Sequence, residues 1–212
     1  MAAPLVLALG GSLLGSEGEE RDTWLTALAE LLEAVEVSIG IVVGGGVAAR
    51  EAIDQAKRDG ENDLAALDEI GITATRMNAA MVAQFLQTAG LDVCAEIPHD
   101  VESSARGLVE HSLVVMGGTH PGHTTDNVAI CLAIEAKAAR CLIATNVGHV
   151  YSSDPRVDSG ALPIEYMTLS ELQDIVGPPV HGQAGGSAVI DPIGVQAAID
   201  NNLPLSVLDG RE

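Results

Sequence analysis

The sequence predicts one α/β domain spanning residues 1–212, a mostly parallel sheet sandwiched between helices. Two observations carry that expectation. Short β-type runs alternate with longer helical patterns, and most of the short runs are apolar on both faces, as strands buried inside a parallel sheet must be. A third supports it: no internal repeat, low-complexity tract or long linker divides the chain.

In chain order, "PLVLAL" (4–9) reads as a strand that ends in the turn Gly10-Gly11-Ser12. "DTWLTALAELLEAV" (22–35) has apolar residues at helical spacing, with Asp22 or Thr23 placed as its cap. "VSIGIVV" (37–43) is a buried strand, and Gly44-Gly45-Gly46 leads from it into the helix "VAAREAIDQAKRD". Residues 61–70 read as a polar, acidic connection. "TATRMNAAMVAQFLQTAG" (73–90) follows as a long helix stopped by Gly90. "LDVCAEI" (91–97) reads as a strand, and "LVEHSLVVM" passes through another into Gly117-Gly118-Thr119. The helix "NVAICLAIEAKAA", the strand "RCLIATNV" and the capped helix "TLSELQDIV" (168–176) come next. The helix "VIDPIGVQAAIDN" and the strand "LPLSVLD" close the pattern. "GPPVHGQAGGS" (177–187) is the one long Gly/Pro stretch, and such a loop in a compact domain usually serves function.

Composition narrows the partners. Ten basic residues face thirty acidic ones, a formal charge of −20. Only Lys57 and Lys137 are lysines, and the acids are spread along the whole chain. A surface of that sign repels nucleic acid and anionic lipid. With so few lysines and aromatics, it also carries the signature of a salt-loving organism. The longest apolar runs are too short to span a bilayer and no leader pattern is visible, so a cytoplasmic location is expected. Cys94, Cys131 and Cys141 are irregularly spaced among apolar neighbours, which reads as buried free thiols rather than a disulfide or zinc set.

The glycines carry the chemistry. Three glycine-rich turns each follow an apolar strand, and strand ends line the ligand crevice of an open α/β sheet. Glycine lets backbone approach a ligand closely, and the helix that follows offers unpaired N–H groups to anions. Three such turns suggest a site for several phosphates, although neither the Walker A nor the dinucleotide spacing is present. Arg50 lies one turn into the helix after Gly44-Gly45-Gly46, within reach of a phosphate. Asp126 follows Thr124 and Thr125 at a helix start, where a carboxylate serves either Mg²⁺ and phosphoryl transfer or the helix cap.

"GGTHPGHTTD" (117–126), "TRMNA" (75–79) and the opening "LGGSLL" resemble the archaeal uridylate (UMP) kinases of the amino acid kinase superfamily, in order over roughly residues 5–210. The resemblance implies a three-layer α/β/α sandwich that transfers the γ-phosphoryl of ATP to UMP with Mg²⁺, in a homo-oligomer built as a hexamer. It implies roles residue by residue. Leu9, Gly10, Gly11 and Ser12 match the ATP phosphate loop. Gly45 matches a UMP contact, while Gly46 and Arg50 match contacts on the transferring phosphate. Asp68 matches the acid on the UMP ribose. Thr119, His120, Pro121, Gly122, His123, Thr124 and Thr125 match the segment that wraps UMP; Asp126, read from its place at the helix start, is with Arg50 the candidate catalytic pair. Thr145, Asn146, Tyr151 and Asp154 match the ATP-binding segment.

Departures from the family pattern cluster on the ATP side. Gly148-His149 stands where the family has Asp-Gly, Gln183 and Gln196 stand where lysines are common, and "LDGRE" stops short of a usual further helix. Two alternatives to a kinase of UMP follow: a nucleotide binder with weak or lost turnover, or a superfamily kinase with another acceptor. His120 and His123 have metal-like spacing but no third ligand nearby, so no protein metal set is assigned. His149 and His181 are either phosphate donors or exposed loop residues. Trp24 reads as core, His111 as surface or structural, and Arg76 as placed to pair with the acids at 68–69.

Overall fold

In the computed structural model, residues 2–15, 18–153, 157–180 and 190–211 are described. Strand β1 (Leu5–Leu9) runs through the centre of a five-stranded sheet and ends in a short 3-10 turn over Gly11–Leu14. Helix α1 (Glu19–Glu33) returns the chain to β2 (Ile39–Val43). After β2 come α2 (Gly46–Arg58), α3 (Leu64–Thr88), α4 (Val101–Glu110) and β3 (Leu113–Met116). Helix α5 (Thr125–Glu135) and β4 (Arg140–Thr145) follow, then a small antiparallel pair, β5 (Val150–Tyr151) with β6 (Pro163–Ile164). Helices α6 (Leu169–Val176) and α7 (Pro192–Asn201) lead to β7 (Leu205–Asp209).

The sheet order is β3-β2-β1-β4-β7, with every pairing parallel. Strands β1, β2 and β3 step outward in one direction, and β4 then pairs on the other side of β1. That reversal opens a crevice at the carboxyl ends of β1 and β4, the place where open α/β sheets bind ligands.

Alternation along each strand divides the core in two. Val6, Ala8, Val42, Val114, Met116, Cys141 and Ile143 face α4, α5, α6 and α7. Leu7, Leu9, Ile41, Val43, Leu113 and Val115 face α1, α3 and the 3-10 turn. Both faces are therefore covered, and the architecture is the expected three-layer α/β/α sandwich. Helix α5 sits deepest: Val128, Ala129, Ile130, Leu132 and Ala133 have no exposed surface, so the helix is apolar nearly all round.

Several elements differ from the sequence expectation. Helix α3 begins at Leu64, because Asp63 accepts the Ala66 N–H at 3.0 Å and caps it. The acidic stretch around Asp68 is thus two turns of helix rather than a connection. Residues 91–97 form no strand; Val93 makes a single parallel bridge to Leu113, and the Asp92 carboxylate takes the Ser112 N–H at 2.9 Å and meets His111 Nδ1 at 3.1 Å. Helix α4 was hidden by its serines and Gly107, and is started by Asp100 accepting the Ser103 N–H at 2.7 Å. Helix α1 begins at Glu19, ahead of both expected caps, with Glu19, Glu20 and Asp22 in its first turn opposite the positive helix end. The α6 cap is as expected, a reciprocal box of Thr168 and Glu171. Trp24 packs against the core and also donates from Nε1 to the Gly210 carbonyl at 2.6 Å.

Candidate active site

The first two glycine turns touch, and the third reaches them through α3. A Cβ on Gly11 would stand 2.2 Å from the Gly46 nitrogen and 2.5 Å from the Gly44 oxygen, so only glycine lets the β1 and β2 turns touch. Gly10 donates to the Ala144 carbonyl at 2.8 Å, which sets this turn against the end of β4 and Thr145. Helix α3 joins the third turn to the other two. A Cβ on Gly117 would meet the backbone of Thr75 and Arg76 at 2.7–2.8 Å, and one on Gly45 would meet Thr75 Cγ2 at 3.5 Å. Asn78 donates from Nδ2 to the carbonyls of Gly44 at 2.8 Å and Gly45 at 3.2 Å.

The same helix face holds loop 117–125. Buried Thr75 accepts the Gly118 N–H at 2.7 Å and donates to the Ile72 carbonyl at 2.6 Å. Arg76 donates from Nε to the Gly118 carbonyl at 3.1 Å and from Nη2 to the Thr119 carbonyl at 2.7 Å. It does not pair with the acids at 68–69, because Asp68 is engaged elsewhere, its Oδ2 accepting the Gly122 N–H at 2.8 Å. Gly122 has φ +87°, a conformation that glycine adopts without strain. Positions 68, 75 and 76 are two helical turns apart and share one face, so one helix pins the start and the middle of the loop.

At the far end of the loop, Thr124 caps α5 by accepting the Asn127 N–H at 3.2 Å and donates to Asp191 Oδ2 at 2.6 Å. The cap is therefore Thr124, not Asp126. Asp126 is pushed up to about 7, first by burial and then by the negative charge of Asp191. Asp191 is itself buried and also accepts the Ile193 N–H at 2.8 Å through Oδ1. No lysine or arginine among the described residues bonds either carboxylate. Beside them, the buried Asn127 Nδ2 has no hydrogen-bond partner among the described residues.

The remaining expected residues sit as follows. Arg50 is exposed on the second turn of α2 and bonds to no described residue, so its guanidinium is available to a ligand. Ser12 is exposed in the 3-10 turn, and Thr145 with Asn146 closes β4 beside Gly10. Tyr151 lies in β5 with its ring edge-on to His149, centroids 6.4 Å apart. The rings of His120 and His123 lie 4.0 Å apart, tilted by 51°, within the loop. Among the described residues no three His, Cys, Asp or Glu side chains gather as a metal site. Gln196 is half-buried on α7 and donates to Asp200. Asp154, His181, Gln183 and Gly186 lie outside the described residues.

The family model described as "Amino acid kinase family" matches residues 3–209. The chain belongs to the amino acid kinase family. It is 37% identical to the uridylate kinase of Methanothrix thermoacetophila over 211 residues, covering 98% of this chain and 90% of that one. It is 38% identical to the uridylate kinase of Methanococcoides burtonii, covering 98% of this chain and 87% of that one. The crystal structure of uridylate kinase from Archaeoglobus fulgidus matches at a TM-score of 0.82 and 33% identity, covering 97% of this chain and 90% of that chain.

For a member of this family, sequence reading missed two groups that the fold places at the site. Asp191 caps α7, far from Asp126 in sequence, and was read only as part of the helix "VIDPIGVQAAIDN". Thr75 was read merely as the start of a motif, yet its hydroxyl holds Gly118 of the third glycine turn while its methyl faces Gly45 of the second.

Proposed function

We propose that the chain is a uridylate kinase that transfers the γ-phosphoryl of ATP to UMP, giving UDP. One observation carries the reading most directly: the β1 and β2 glycine turns touch at the strand ends, and α3 ties loop 117–125, which holds the third glycine turn, to the second of them. The chain's similarity to uridylate kinases supplies the identity of the acceptor.

The residues divide the work. Leu9 to Ser12, with Gly46, Thr145, Asn146, Tyr151 and Asp154, hold ATP. Gly45, Asp68 and Thr119 to Thr125 hold UMP. Backbone amides at the glycine turns and the free guanidinium of Arg50 take up negative charge on the transferring group. The UMP phosphate is already ionised and attacks directly, so no strong base is needed.

Asp126 and Asp191 fit a divalent cation in a specific way. Two carboxylates are what Mg²⁺ commonly takes from a protein when substrate phosphates and water fill its other positions. The raised proton affinity of Asp126, with no arginine or lysine bonded to it among the described residues, marks a place that favours added positive charge. When bound, Mg²⁺ would neutralise phosphate oxygens; Asp126 and Asp191 would hold it, and Thr124 fixes Asp191.

The protein is placed in the cytoplasm as a homo-oligomer, a hexamer by resemblance. Exposed Leu64 and Met77 on α3 suit a subunit contact. No helix among the described residues is long and apolar enough to cross a membrane. A charge of −20 with two lysines suits work at molar salt.

ADP release from ATP with UMP, CMP or no acceptor, in Mg²⁺ across KCl concentrations, tests this function. UMP-dependent release at molar KCl is expected. UMP binding without release at any salt would favour the alternative, a binder that has lost its donor half.

A further inference from the structure

Arg76 stands out among the cations of this chain. It is partly buried in a protein with thirty acids, yet it pairs with no carboxylate among the described residues. Its bonded donors go to two successive backbone carbonyls, Gly118 at 3.1 Å and Thr119 at 2.7 Å. Desolvating a guanidinium to hold neutral carbonyls is costly, so the contact invites an account in terms of the site.

Peptide geometry supplies one. In a trans peptide the C=O and the following N–H point in opposite directions. Capturing the Gly118 and Thr119 carbonyls on the α3 side therefore turns the N–H groups of Thr119 and His120 away from α3. Neither N–H donates to a described residue. The peptide before them is fixed as well, because Thr75 accepts the Gly118 N–H at 2.7 Å. The two after them are closed off: Pro121 has no N–H, and Gly122 gives its N–H to Asp68. What remains is a pair of adjacent, aligned and unspent donors. With the carbonyls tied back, the loop shows donors instead of lone pairs to whatever fills the crevice.

We propose that Arg76 is a positioning residue of the acceptor site: it holds the carbonyls of Gly118 and Thr119 so that the amides of Thr119 and His120 are preset for oxygen atoms of the nucleoside monophosphate. The proposal rests on the uridylate kinase reading of this site. Arginine is required for geometric reasons. Its planar fork offers donors from two separate nitrogens, Nε and Nη2, to two successive carbonyls. A lysine ammonium has its three donors on one nitrogen and cannot reproduce that fixed two-point geometry. Arg76→Lys therefore keeps the charge and most of the stem while losing the two-point grip.

The test is calorimetry of UMP and of a non-hydrolysable ATP analogue on the wild type, Arg76→Lys and Arg76→Gln, with steady-state kinetics and thermal melting alongside. Both variants are expected to weaken UMP binding and to raise its KM about tenfold or more, the scale of losing hydrogen bonds from a charged donor. Affinity for the ATP analogue should stay within about twofold, and the melting temperature of the lysine variant should be unchanged. UMP affinity equal to wild type in Arg76→Lys would overturn the proposal. So would a parallel loss of both ligands together with melting temperature, which marks a structural role alone. If the wild type binds UMP but shows no turnover, the kinase reading fails, while the binding comparison still decides the role of Arg76. If the wild type binds no UMP, both fail.

Discussion

Replacing Asp126 by asparagine should separate stability from activity in opposite directions. In the folded chain its carboxyl is pushed up to about 7 by burial and by Asp191, from an ordinary value near 3.8. Between those two values the folded state holds a proton that the unfolded chain has released. Stability must then fall as pH rises from about 4 through about 7. At pH 8 the cost approaches about 4 kcal/mol, from roughly three pH units at 1.36 kcal/mol each. Asparagine keeps the shape and removes the charge. Asp126→Asn should therefore lie within about 1 kcal/mol of the wild type near pH 4.5 and exceed it by up to about 4 kcal/mol at pH 8, or about 10 °C in melting temperature. The assay is urea and thermal unfolding of both proteins at pH 4.5, 6 and 8 in 1 M KCl, where repulsion among surface carboxylates is screened within about 3 Å. Turnover of the variant should drop by about two orders of magnitude or more. Parallel stability curves across this pH range would refute the account of a buried, charge-opposed carboxyl.

Other perturbations reach separate parts of the site. Arg50→Ala should leave unfolding within about 0.5 kcal/mol, since the side chain is exposed and unbonded, while kcat/KM falls about 10- to 100-fold. Thr75→Val leaves the Gly118 N–H without its partner in a buried place; urea unfolding should show a loss of about 1–3 kcal/mol, and the KM for UMP should rise. Gly11→Ala drives a methyl against the backbone of Gly44 and Gly46, so unfolding should show about 1–3 kcal/mol of destabilisation and ATP affinity should weaken by calorimetry.

Much of this fold is legible in the sequence because its strands are unusually uniform. "LVLAL", "IGIVV" and "LVVM" are apolar on both faces and end in glycine, so strand identity and the parallel sheet follow from elementary burial. Helices α1, α3 and α6 declare themselves by periodicity. Where reading failed, local composition and tertiary use disagreed. The start of α3 looks like a connection because its charges, Asp63 and Asp68, act as a cap and as an acceptor for Gly122. "LDVCAEI" has strand composition, but Asp92 takes the Ser112 N–H and the segment keeps a single bridge to Leu113.

For the site, the glycine turns and the loop residues 119–125 were visible as a pattern. Their relation was not, since it depends on which face of α3 packs under the loop. Arg76 shows the limit most clearly. Proximity in sequence suggested the acids at 68–69, whereas the fold carries its guanidinium 42 and 43 residues along the chain to Gly118 and Thr119. The Asp126–Asp191 pair is likewise a product of topology, brought together by the packing of α5 on α7.

The most direct measurement follows the phosphoryl group itself. ATP labelled at the γ-phosphate is incubated with UMP, Mg²⁺ and the wild-type protein, and the products are separated. Label in the β-phosphate of UDP, dependent on UMP and lost in Asp126→Asn, is the expected result. Label appearing only as inorganic phosphate, or none leaving ATP while UMP binds, would contradict the assignment of this site to phosphoryl transfer onto UMP.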